Sequence, residues 1–250
     1  MLDKKAWQHI CRSSGEIPQA CLASGVRREI VSALGSSVGL MFPRFAKCFP
    51  LTVNAMETYW STPVLAFYQF KMRWFASLAL EQPEQNLFFD LGNSAYAVEG
   101  EEFERDHAML PDAWKELYRW FWSFGITSDD QLSLYWTNTP FSFSSRLDLI
   151  SYQKHFGGKR AAAIAFERNI GTDQLRCWLV TDAGDALWLD EQRCDKAIYH
   201  VHRGDYGNAF VLSDPGATLD RYMAHVIAGA RPDDFDFREN GLRISRPTPT

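Results

Sequence analysis

Two histidines two residues apart, His200 and His202, are the first residues of this chain whose spacing could do chemistry. On a strand they share a face, as the ligands of some metal sites do. No third ligand is evident, since His225 falls on a later helical stretch and no Cys-x-x-Cys pair accompanies them. Polar surface or a hydrogen-bonded strand histidine is the plainer reading. For nucleophilic catalysis the candidates are Cys177 or Cys194 with His200 or His202. Neither cysteine stands at a predicted helix N-terminus, the setting that lowers a thiol pKa. Carboxylates are adjacent at Asp129-Asp130, Asp190-Glu191 and Asp233-Asp234, but neighbours on a strand point to opposite faces and do not work as an acid–base pair. There is no Gly-x-Ser-x-Gly elbow, and Gly157-Gly158-Lys159-Arg160 lacks the spacing of a phosphate loop. Arg203-Gly204-Asp205 reads as a turn. These residues point away from an enzyme, with no cofactor and no metal expected.

Composition fits that reading. Of 250 residues, 46% are apolar and 23% charged, the balance of a globular protein able to bury a large core. Nine Trp within 14% aromatics predict a core or interface built on large flat side chains. A net charge of −5 argues against nucleic-acid binding and favours a basic partner. Five cysteines without regular spacing read as buried free thiols in a reducing compartment. No apolar h-region follows the N-terminal lysines, and Val64 to Leu80 is interrupted by Gln69, Lys71 and Arg73. Neither a signal peptide nor a membrane span is expected, and the location read from this is cytoplasmic.

The elements that would position these residues centre on 160–190. There, short apolar segments alternate with Gly- and Asp-bearing breaks, the tightest being Asp182-Ala183-Gly184-Asp185. Strands are predicted at 131–136, 147–152, 161–167, 175–181, 186–190 and 196–202, with 209–212 a short edge. Asp214-Pro215 opens a last helix running to Gly229. The clearest helix is 110–125, with Pro111 in its first turn, Trp114, Leu117, Tyr118 and Phe121 buried, and Gly125 ending it. Trp120 and Trp122 lie off that stripe and need a second surface. Further upstream, helices are predicted at 4–11, 18–34 and within 54–80, where Leu65, Tyr68, Met72, Phe75 and Ala79 recur at helical steps. Residues 38–53 read as irregular apolar packing around two Phe-Pro steps. Residues 87–98 read as a hairpin turning at Gly92-Asn93, and 231–250 as a tail.

Charge is unevenly spread. Residues 1–47 carry seven Lys/Arg against three Asp/Glu, whereas 81–112 carry nine acids and one base, Arg105. Glu99, Glu101, Glu102, Glu104 and Asp106 follow one another almost without a break. A solvated face is one reading; a negative patch kept for a cationic partner is the other.

The residues Leu110-Pro111-Asp112-Ala113-Trp114, then Ile164-Ala165-Phe166, then Trp178 to Asp190, then Leu219 to Ile227 follow a pattern. It is a Leu-Pro helix start, an apolar strand, an acidic-Gly turn between apolar strands, and a closing helix. In this the chain resembles the SUKH superfamily (SMI1/KNR4-like) over about residues 105–230, departing from it at Ser123-Phe124-Gly125, where that family often has Asn-Gly-Gly. The resemblance implies an α+β fold, with an antiparallel sheet of about six strands flanked by helices. A mainly helical region, 1–100, would pack on a SUKH-like domain, 101–230, followed by the tail. It also implies an immunity protein that binds and neutralises a cognate toxin, often a nuclease, without turnover. The expected contacts are Glu99, Glu101, Glu102, Glu104, Asp106, Asp129, Asp130, Asp182 and Asp185, with Trp120 and Trp122 as apolar anchors. A Cys/His hydrolase and a scaffolding subunit are the alternatives.

Overall fold

The computed structural model describes residues 7–22, 26–70, 73–83, 85–92, 111–120, 123–128, 142–143, 164–165, 171, 174–180, 185–190, 197–201, 209–231 and 234–243. Helices and antiparallel sheets make an α+β fold.

The first sheet has five strands in sequential order: β1 (His9–Cys11), β2 (Val64–Phe70), β3 (Arg73–Gln82), β4 (Gln85–Gly92) and β5 (Ser123–Ser128). Its centre falls where a helix was expected. Residues 64–80 form the β2–β3 hairpin, in register from Val64↔Ala79 to Phe70↔Arg73. The reason is burial on both faces. Leu65, Phe67, Ala76, Leu78 and Leu80 enter the main core, while Val64, Ala66 and Ala79 pack with Trp7 on the other side. A sheet covered on both sides shows a continuous apolar run, and such a run also satisfies helical steps. The predicted helix at 4–11 is likewise replaced, among described residues, by β1, which pairs with β2. The predicted 87–98 hairpin gives way to a strand, β4, paired with β3 and β5; residues 93–98 lie outside the described residues.

Between β1 and β2 come α1 (Gln19–Leu22), α2 (Arg28–Ala33), α3 (Val38–Met41), α4 (Pro43–Cys48) and α5 (Pro50–Tyr59). The single helix expected over 18–34 is thus two. The irregular packing expected over 38–53 is helical, and its prolines explain why. Phe42 and Phe49 sit outside the helical region (φ −131°, ψ 66° and φ −129°, ψ 60°), as a residue before proline prefers. Each proline then takes the first helical position, where its missing N–H costs nothing.

The aromatic helix is α6 (Asp112–Trp120), shorter than predicted. Gly125 does not end it. Instead Gly125 lies inside β5, opposite Phe88. Of the predicted buried face Leu117 is in the core, and the side chains of Trp114, Tyr118 and Phe121 lie outside the described residues.

The second sheet runs β11-β10-β9-β8-β7-β6, with β6 (Ser142–Phe143), β7 (Leu175–Val180), β8 (Ala186–Asp190), β9 (Ile198–Val201), β10 (Ala209–Leu212) and β11 (Gly241–Arg243). Strand alternation is strict here. Leu187, Leu189 and Ile198 face the main core, whereas Ala186, Trp188, Tyr199 and Val201 face a second cluster with Ile164 and Ala165. Those last two are helical, not the strand expected at 161–167, and the segments 131–136 and 147–152 lie outside the described residues. β10 is no edge, since β9 and β11 flank it. Of the expected tail, 237–240 is a 3-10 turn and 241–243 is β11.

Helix α7 (Pro215–Ile227) follows its sequence signals. Asp214 caps it by accepting from Ala217 N–H at 2.9 Å, Pro215 takes the first turn, and Gly229 follows at φ +92°. The joint between α7 and α5 holds the two halves of the core together. Phe49, at the N-cap of α5, offers no side-chain acceptor. Asp220 of α7 does so instead, accepting from Leu51 N–H at 3.0 Å, Thr52 N–H at 2.8 Å and the Thr52 hydroxyl at 2.7 Å. At the other end, Trp60 Nε1–H donates to the Ile227 carbonyl at 2.9 Å.

Candidate functional site

Among the described residues, the pair best suited to proton transfer is His200 with Asp185. Strand pairing brings it about. His200 stands opposite Leu187, and Asp185, two residues before Leu187, is its diagonal neighbour on the same face. His200 Nε2 lies 3.0 Å from Asp185 Oδ1, with side-chain exposures of 0% and 2%. The imidazole is enclosed by rings, its centroid 5.1 Å from Phe237 and 6.2 Å from Phe210. Phe237 in turn packs on Tyr222 of α7 at 5.0 Å. A base that acts on a substrate must come within hydrogen-bond reach of it. This imidazole faces the inside of the sheet, and its geometry is that of a core polar pair.

That placement corrects one expectation. Asp185 was read as an acidic turn residue exposed to a partner, and it is instead 1% exposed and bonded to His200. The sheet's alternation carries it inward, and only a hydrogen-bonding partner makes a buried carboxylate tolerable. The other expected contacts, Glu99, Glu101, Glu102, Glu104, Asp106, Trp122, Asp129, Asp130 and Asp182, lie outside the described residues. Trp120 is the last residue of α6, and its side chain lies outside the description. Cys194 and His202 lie outside as well, and Cys177 is placed only as a β7 residue near the bulge facing β8. No group of three or more metal-binding side chains occurs among the described residues.

The described thiols are Cys11, Cys21 and Cys48, all free, the first two buried. Burial pushes Cys11 up to about 11, with Cys21 and Glu16 nearby adding to it. Burial likewise raises Cys21, and it raises Cys48 together with the neighbouring Glu116 carboxylate. Raised thiols are protonated near neutrality and are poor nucleophiles. Glu16 goes the other way. Its carboxylate accepts from Arg12 N–H at 2.7 Å, which holds it below its ordinary range, with the Ser13 hydroxyl adding at 3.1 Å. This ties the turn after β1.

Exposed apolar side chains sit on the helices: Leu40 on α3, 74% exposed, and Leu51 and Tyr59 on α5. Sequence reasoning missed three groups: the Asp185–His200 pairing, the cap supplied by Asp220 and the bond from Trp60. All join residues far apart in sequence, and period-two placement of His200 was the one signal available. No helix among the described residues is long and apolar enough to cross a membrane. Comparison with protein-family models, curated proteins and solved structures found no match for this chain.

Proposed function

We propose that this chain is an immunity-type, SUKH-like protein that binds a cognate toxin and neutralises it by occlusion, in the cytoplasm and without turnover. The observation that carries the reading is the burial of Asp185–His200. The described pair best able to move a proton serves to hold two strands together beneath Phe237. Two further features favour it. The antiparallel β7–β8–β9–β10 run is followed by α7, a strands-then-helix order compatible with the resemblance, although Ile164 and Ala165 are helical where it implied a strand. The sequence from 81 to 112 carries nine acids against one base, the charge that draws a basic partner. The acids Glu99, Glu101, Glu102, Glu104 and Asp106, with Asp129, Asp130 and Asp182, supply the steering charge. Trp120 and Trp122 supply the desolvated anchors, and exposed Leu40 and Tyr59 extend the apolar contact.

The test is kinetic. Against the toxin domain encoded beside its gene, reversing the five acids at 99–106 to lysine slows association at least about tenfold and flattens its salt dependence, while dissociation changes little. Unchanged association would remove that segment from the interface. Absence of any binding by the wild-type chain to that domain would defeat the reading itself.

A further inference from the structure

We draw no further inference here: the strongest candidate, the aromatic patch on the face of the first sheet opposite the main core, where Trp7 stacks on Phe88 and meets Tyr68 edge-on, is an apolar face for which nothing in the structure shows what covers it.

Discussion

Replacing Asp220 by alanine removes the acceptor that caps a helix lying 168 residues earlier in the sequence. The Leu51 and Thr52 amides belong to the first turn of α5 and need acceptors there. Loss of an N-cap acceptor costs about 1.5 kcal/mol. The negative charge against the helix N-terminus, here 3% exposed, contributes about 1 kcal/mol more. The Thr52 hydroxyl loses a 2.7 Å bond but keeps the Asp220 backbone carbonyl at 3.1 Å as an acceptor, so this adds only about 0.5 kcal/mol. These share one carboxylate and are not additive, so the expected loss is at most about 3 kcal/mol. In a chain of this size the full loss lowers the melting temperature by about 6–12 °C. Urea unfolding followed by tryptophan fluorescence measures it. Asp220→Asn keeps one acceptor and should lose roughly half as much. A cycle with Thr52→Val should show a coupling of about 0.5 kcal/mol. A loss below about 0.5 kcal/mol for Asp220→Ala would refute the argument, because that is what an exposed surface carboxylate costs.

His200→Ala and Asp185→Ala should each destabilise by about 1–3 kcal/mol, since each leaves a buried hydrogen-bonding partner unsatisfied, and denaturant titration reads the loss. Trp60→Phe keeps the packing but loses the bond to the Ile227 carbonyl, for about 1 kcal/mol on the same assay. With its thiol at about 11, Cys11 should react with iodoacetamide roughly a hundredfold more slowly at pH 8 in the folded protein than in urea, read by mass spectrometry. Because folding raises this pKa, its contribution to stability is complete below about 9 and is lost as pH rises through about 11, so alkaline unfolding should steepen in that window.

What the sequence made legible was local. Asp214, Pro215 and Gly229 bound α7 by chemistry that acts within a few residues, and its ends were readable. β8 and β9 were readable as short apolar runs set between Gly- and Asp-bearing breaks, too short for a helix. Residues 64–80 fail for the opposite reason. Apolar on both faces, they carry no period, and Leu65, Tyr68, Met72, Phe75 and Ala79 satisfy a helical template by coincidence. At Phe42-Pro43 and Phe49-Pro50 the residue before each proline is kept out of the helical region without being fully extended, and the helix that each proline starts was not read. The second of these, α5, takes its cap from Asp220, which no local pattern shows. Asp185 was misread for a similar cause. Its acidity and its turn-like neighbours suggested the surface, whereas burial was decided by His200 on the next strand.

The central claim, inhibition by occupancy with no bond made or broken, is tested most directly by stoichiometry. Titrating this protein into a fixed amount of the toxin domain, well above the dissociation constant, should abolish toxin activity linearly and end at one molecule per toxin. Suppression that is complete at a small fraction of that ratio and deepens with time would mean the protein turns over, and the account would be wrong.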